Sequence, residues 1–324
     1  MSWKNKYIQL MYPNNMELMK KEEALQFKFK HIPSSLYRYR TFDKEFYNIE
    51  NLKNDTVRCS PAADFNDPYD CALMLGDYSD RDIRFGMLEL IKKMPINQDI
   101  KTIEKMGLPE LKDYFMEKIC YLMGAEDIPK TVLDPIYDLT RAEYDEKINI
   151  QLQLMNEKSQ RETMVSCFSE VKDSILMWSH YANNHTGFCI EYNFKKAGSD
   201  SILTQQLQPV IYRKDMFDIG KHIEQTPKNS SGFNSLFGGY ASIVKAKEWD
   251  YEKEWRLVFS KEDREGFNQN LFTPESIYLG TKISEINKKE ILKIAEEKQI
   301  KVFQMKRAND QFKLIAEPIL EADK

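Results

Sequence analysis

The chain has 324 residues, 42% hydrophobic, 12% aromatic and 30% charged, with a formal net charge of -4. That supplies apolar material for a sizeable core and excludes a chain disordered over most of its length. The mild acidity excludes a uniformly basic nucleic-acid binder, although a local basic groove fits inside such a total. Residues 1–30 carry weak helical periodicity in MELMKKEEALQFKF, broken at His31-Ile32-Pro33. SSLYRYRTF reads as a short strand, because its aromatics and the β-branched Thr41 favour extension. NDTVRCSP is a second strand, ended by Pro61. FNDPYD is a loop: Asn66 and Asp67 favour turns, and Pro68 restrains the residue before it.

From about Asp80 to Glu162 the period changes. RDIRFGMLELIKKM, IEKMGLPELKDYFMEKICYLM and TRAEYDEKINIQLQLMNEKSQRETM place apolar residues at three- and four-residue steps, which predicts amphipathic helices. Gly and Pro punctuate them near 107–109 and 129–135. Strand patterning returns at MVSCFSE, GFCIEYNF and LQPVIYR. Between the first two, DSILMWSHYANNHTG predicts a helix and then a turn at Asn183-Asn184 and Gly187. Residues 226–240, rich in Gly, Ser and Asn, predict a mobile loop. WRLVFS and ESIYLG are strands. SEINKKEILKIAEEKQ is a helix whose capping pattern is read at Asn287 and Glu290. KVFQMKRA and QFKLIAEP close the chain as strands.

This order predicts an α+β fold with a mixed or mostly antiparallel sheet. The expected organisation is a helical segment over 1–30, a core over 31–80 and 164–324, and a helical insertion over 81–163. Neither GxGxxG nor GxxxxGK[ST] occurs, so neither a Rossmann cofactor nor a P-loop nucleotide is expected. The five cysteines include no CxxC pair, and no zinc ribbon or disulfide framework is visible. The start MSWKNKYIQLMYPNN has no long apolar region, and no stretch approaches the ~18 apolar residues of a membrane span. The expectation is a reduced, soluble, cytoplasmic protein without a membrane partner. Its richness in Lys, Asn, Ile and Glu suggests a bacterial, AT-rich genome.

Three clusters carry candidate chemistry. In LYRYR, alternation puts Arg38 and Arg40 on one strand face and Tyr37 and Tyr39 on the other. Two arginines on one face can grip a phosphate or diphosphate; a solvated edge strand would carry the same pattern. The second cluster is SCFSE, followed by Trp178, His180, Tyr181 and His185. The histidines are not in the i, i+4 register of a helical zinc site. They can line a pocket, or His180 can be a hydrogen-bonded core residue with Trp178 packing the helix onto the sheet. The third is VKAKEWDYEKEWRLV, where a strand would put Glu252, Glu254 and Arg256 on one face. A buried carboxylate there needs a partner, and Arg256 is the nearest in sequence.

LYRYR, FNDPYD, SCFSE, MWSHYANNHTGFCIEY and KEWDYEKEWRL together, over about residues 34–260, resemble the bacterial domain of unknown function 2971. That family implies no activity. In motif order the clusters also resemble ADP-ribosyltransferases, with an early-strand Arg, a serine pair on a middle strand and a late Glu-x-Glu. Here Ser166 and Ser169 are separated by two residues rather than one. The second resemblance implies an ADP-ribosyltransferase-like core and an enzyme that cleaves the nicotinamide–ribose bond of NAD. It would transfer ADP-ribose to an acceptor that is a protein, a nucleic acid or a small molecule, as a toxin or phage-defence effector does. It implies Glu254, Glu252 and Ser169 as catalytic residues. It implies Arg38, Tyr39, Arg40, Ser166, His180, Tyr181 and His185 around the NAD, and no metal. Glu254 would stabilise the positive charge developing on the ribose, and Glu252 would orient or deprotonate the acceptor. Two other readings compete. Asp67, Asp70, His180, His185, Glu191 and Glu254 are donors enough for a metal-dependent hydrolase or nuclease. A non-enzymatic binding module would use the aromatics as core and the helices as a partner surface.

Overall fold

Period-two patterning builds a ten-stranded mixed sheet in the computed structural model of this chain, which describes residues 2–45, 47–76, 78–125, 128–224, 236–262 and 265–320. The early strands are β1 (Leu36–Arg40), β2 (Thr56–Pro61) and β3 (Leu73–Met74). After a long helical stretch come β4 (Thr163–Ser169), β5 (Phe188–Tyr192), β6 (Leu207–Pro209), β7 (Ile211–Arg213) and β8 (Phe217–Asp218). The last are β9 (Val244–Ala246), β10 (Glu254–Ser260), β11 (Phe267–Asn270), β12 (Ser276–Leu279), β13 (Lys301–Arg307) and β14 (Leu314–Leu320). The main sheet runs β11-β2-β4-β1-β5-β12-β13-β14, and β10 joins it along β4 and carries β6. Its pairings are antiparallel except β12 with β13.

The alternation decides the layers. Leu36 of β1, Ile190 of β5 and Ile277 of β12 point into one core with Trp255, Leu257 and the helix Glu285–Lys298. Tyr37, Tyr39, Cys189 and Tyr278 point the other way, onto Met177 and Trp178 of the helix Ile175–Tyr181. Trp178 donates its indole N–H to the Lys172 carbonyl at 2.8 Å and meets Tyr39 edge-on, so it does pack this helix onto the sheet. The following turn puts Asn183, Asn184 and His185 at positive φ. Gly187 then lies so close to β1 that a Cβ there would stand 2.1 Å from the Arg40 carbonyl.

Several expectations change. β1 is an interior strand paired with both β4 and β5, not a solvated edge. The helix Glu285–Lys298 is capped by Ser284, whose hydroxyl accepts the Asn287 N–H at 3.2 Å, so Asn287 is not the cap. Pro135 does not break its segment. The helix runs Lys130–Glu162, with Pro135 in its second turn, where its missing N–H costs one bond close to the end. Residues 225–235, most of the expected loop, lie outside the described residues, and Phe237–Ala241 is a helical turn.

The chain divides into two compact units. One comprises Met1–Ala72, Lys158–Phe217 and Thr226–Lys324, and holds the main sheet. The helices Trp3–Met11 and Lys21–His31 belong to it: Trp3 stacks on His31 and on Trp255. The second comprises Leu73–Glu157 and Asp218–Gln225. Its helices close on Met87, Leu88, Ile91, Ile103 and Leu111. Among the described residues no helix is long and apolar enough to cross a membrane.

Candidate functional site

The site begins where β4 loses a neighbour. β10 follows β4 for its whole length, from Glu254 opposite Ser169 to Ser260 opposite Thr163. On the other edge β2 pairs only at Ser60–Val165 and Pro61–Met164, and β1 only at Tyr37–Ser169. Buried backbone groups need partners, and Arg38 supplies them in the gap. Its guanidinium donates to Ser166 Oγ, to the Cys167 carbonyl at 3.0 Å and to the Arg58 carbonyl at 2.9 Å.

A cavity of about 350 Å³ opens at this split, within the ~300–1,000 Å³ of small-molecule sites. β1 contributes Tyr37 to Arg40, β2 Arg58 and Ser60, and the following loop Asn66 and Asp70. β4 adds Cys167, Phe168 and Ser169, the helix Ile175–Tyr181 adds Tyr181, and Lys245, Glu252 and Glu254 complete the wall.

One part of the lining is a closed ionic cluster. Arg256 meets Asp70 through two parallel bonds of 2.6 and 2.7 Å and Glu254 through two of 2.9 and 3.1 Å. Lys245 reaches Glu252 at 2.6 Å and Glu254 at 3.0 Å, and lies 3.9 Å from Asp70. None of the five is more than 8% exposed. Ions so buried persist only when paired and hydrogen-bonded. Burial alone would push the Glu254 carboxyl up, but Arg256 and Lys245 bring it down to about 2. For Glu252 burial prevails over Lys245, and with repulsion from Glu254 its carboxyl titrates above the usual range. Tyr181 donates its hydroxyl to Glu252 Oε1 at 2.5 Å. Burial and that carboxylate raise the Tyr181 phenol.

Glu252 does not stand on a strand, as the sequence alternation suggested. It ends the 3₁₀ segment Lys247–Glu252, Lys253 takes a left-handed φ of 47°, and β10 starts at Glu254. The two carboxylates still converge, because Lys245 on β9 lies between them. Ser169 fixes the backbone at Glu252: its hydroxyl donates to the Glu252 carbonyl at 2.6 Å. The Glu254 N–H donates to the Tyr212 hydroxyl at 2.7 Å.

The other part of the lining is open cation. Arg40, half-buried, donates once, to the Tyr39 carbonyl at 3.1 Å. Arg58 is exposed, and among the described residues neither arginine is ion-paired.

Of the expected site residues, Arg38, Tyr39, Arg40, Ser169, Tyr181, Glu252 and Glu254 come together here. Arg38 is consumed by the gap in β4, and Ser166 is not in the lining but holds Arg38. Tyr39 binds the Val171 carbonyl at 2.8 Å. His180 and His185 lie outside the cavity. His185 stacks on Trp178, and its Nε2 meets Ser179 Oγ at 3.3 Å. Of the donors of the metal reading, Asp70 and Glu254 come together but are bridged by Arg256, while Asp67 accepts the Tyr69 N–H at 2.9 Å and Glu191 takes the hydroxyls of Ser35 and Tyr278. Among the described residues no three His, Cys, Asp or Glu side chains are placed to hold a metal ion.

Sequence reasoning missed Lys245 and Arg58, and saw Asp70 only as a metal donor. The pairing of Asp70 with Arg256 spans 186 positions, and no local pattern signals it. Lys245 sits in the quoted VKAKEWDYEKEWRLV, and a lysine amid those carboxylates was the one signal present.

Residues 177–257 match the family model for the protein of unknown function DUF2971. The chain resembles that family over this segment. No curated protein and no solved structure matches the chain. The DUF2971 segment carries Tyr181, Lys245, Glu252, Glu254 and Arg256. LYRYR, FNDPYD and SCFSE, with Arg40, Asp70 and Ser169, lie outside the matched residues.

Proposed function

We propose that this protein cleaves the nicotinamide–ribose bond of NAD and transfers ADP-ribose to an acceptor. The observation that carries this reading is the convergence of three segments distant in sequence, with Arg40, Ser169 and the pair Glu252 and Glu254, on one cavity. The lining is polarised as such a substrate requires. Arg40 and Arg58 have spare donors for a diphosphate, whereas Arg38 spends three of its bonds on Ser166, Cys167 and Arg58. At the other part, three carboxylates face two cations. A ribose carbon becoming positive would meet the carboxylate of Glu254 there. Glu254, ionised across the working pH range, supplies the fixed charge. Glu252, with its raised carboxyl, suits proton transfer at the acceptor.

The test is incubation with NAD labelled in its adenylate half, with and without cell extract, following nicotinamide release and label transfer. Release that depends on Glu254 supports the reading. Calorimetry with Arg40→Ala adds a second arm: a charge-assisted bond of ~1.5–3 kcal/mol predicts a loss of affinity of roughly tenfold to hundredfold. Wild-type protein that neither binds nor cleaves NAD refutes the proposal.

A further inference from the structure

Full ionisation of Asp70, Glu252, Glu254, Lys245 and Arg256 would leave one buried negative charge without a matching cation. Low-dielectric surroundings make that charge costly, and a proton relieves it. The geometry decides which carboxylate takes it. Asp70 has the two-pronged grip of Arg256. Glu254 has Arg256 and Lys245 together. Glu252 has only Lys245, which it shares, and a neutral phenol.

We propose that Glu252 holds the one exchangeable proton of this cluster and that Tyr181 relays it to and from a ligand in the cavity. Tyr181 Oη already donates to Glu252 Oε1, and its ring lines the cavity. The relay starts from the ionised form of Glu252, which accepts the Tyr181 hydroxyl: the acceptor's O–H or N–H bond breaks as its proton joins Tyr181 Oη. The original Tyr181 proton passes to Glu252 Oε1. Tyr181 ends as it began and Glu252 ends neutral; the electron pair left on the acceptor forms the bond to the ribose carbon as the ribose–nicotinamide bond breaks and its pair leaves with neutral nicotinamide. No further reactant is needed. Lys245 is a positioning residue that holds Glu252 in place and favours its ionised form.

The groups around Glu252 come from every neighbouring element. Lys245 is on β9, Tyr181 on the helix Ile175–Tyr181, Glu254 on β10 and Tyr212 on β7, with Tyr251 beside Glu252 on its own 3₁₀ segment. Ser169 of β4 binds its backbone carbonyl. Asp70 and Arg256 stand behind Lys245 and Glu254. Burial raises the Glu252 carboxyl, Lys245 and the Tyr181 hydroxyl lower it, and Glu254 raises it.

The inference rests on the NAD reading for the ligand's identity but not for the proton, so the two are tested apart. Infrared spectra of the full chain are titrated for wild type and for Glu252→Gln, and their difference isolates the Glu252 carboxyl band. The protonated band is expected to persist above the ordinary glutamate value of ~4.3. It should persist to still higher pH in Lys245→Met and in Tyr181→Phe, each of which removes a group that favours the anion. Lys245→Arg should restore it towards wild type. Should Lys245→Met fail to fold, Tyr181→Phe and Lys245→Arg carry this arm. A Glu252 band in the ordinary range, or one unmoved by Tyr181→Phe, overturns the proposal. In the second arm, Tyr181→Phe should slow transfer by roughly a hundredfold with NAD affinity unchanged. Full transfer by this variant overturns the relay. If the wild type does not bind NAD, that reading fails alone, and the infrared bands still decide whether Glu252 holds the proton and shares it with Tyr181.

Discussion

Glu143 and Lys147 pair at 2.7 Å one turn apart on the long helix, with side chains 68% and 69% exposed. Arg256 and Glu254 pair at 2.9 Å with side chains 0% and 4% exposed. The distances are alike and the surroundings are opposite. On the helix, water solvates both charges whether or not they meet, so meeting changes little. In the cluster, water is gone, and each charge depends on the others to remain charged. The difference teaches that geometry alone does not mark an ion pair as consequential. Burial, and whether removal strands a partner, does.

The sharpest way to break that comparison is Arg256→Met. It keeps most of the volume but leaves Asp70 and Glu254 without their shared guanidinium. Destabilisation of ~3–5 kcal/mol is expected, read from the urea midpoint. A midpoint equal to wild type would show that the cluster is as indifferent as the helix surface.

Next comes Glu254→Gln, which keeps shape and removes charge. NAD cleavage should fall on the order of a hundredfold or more. Nicotinamide release at the wild-type rate would leave Glu254 as an anchor without a role in the reaction. Acid stability gives a second reading of the same group. Its folded value of about 2 lies below the unfolded value of ~4.3, so its contribution is present above ~4.3 and is lost as pH falls towards about 2.

Glu252→Gln sharpens the comparison inside the cluster, with a smaller effect and the opposite sign. Its carboxyl is raised on folding, so the favourable contribution is complete below ~4.3 and disappears as pH rises through the raised value. Gln imitates the protonated form at every pH. The variant should therefore melt higher than wild type at neutral pH, and the two should converge below ~4.3. Lower melting at neutral pH would show that the Glu252–Lys245 pair outweighs the cost of burying it. The smallest effect is expected from Lys147→Ala, whose thermal midpoint should be indistinguishable from wild type. A clear loss there would mean that the helix pair, too, is structurally required.

Local order was legible in the chain. The alternation in LYRYR, MVSCFSE and GFCIEYNF put strands at β1, β4 and β5, and the three- and four-residue steps put helices between Asp80 and Glu162. Short strands such as β9 and β11 were not read, because three or four residues hold too little pattern to distinguish from a loop. The cap at Ser284 was misread by one turn, since Asn287 also has a capping side chain and only the backbone path decides between them.

The candidate site divides along the same line. The sequence by itself determined which side chains are chemically able: arginines on one strand face, a serine pair, and two glutamates beside an arginine. These depend on residue types within a few positions of one another; strand geometry fixes the spacing for the arginines and serines, but not for Glu252, which ends a 3₁₀ segment. Only the tertiary structure decided what each one is free to do. Arg38 and Arg40 share a face of β1, yet the gap in β4 occupies the first and leaves the second open. Glu252 and Glu254 are two positions apart, yet Arg256 together with Lys245 settles Glu254 while Glu252 keeps a raised carboxyl. Protonation and availability are set by burial and by charges that arrive from distant segments, and such encounters exist only in the folded chain.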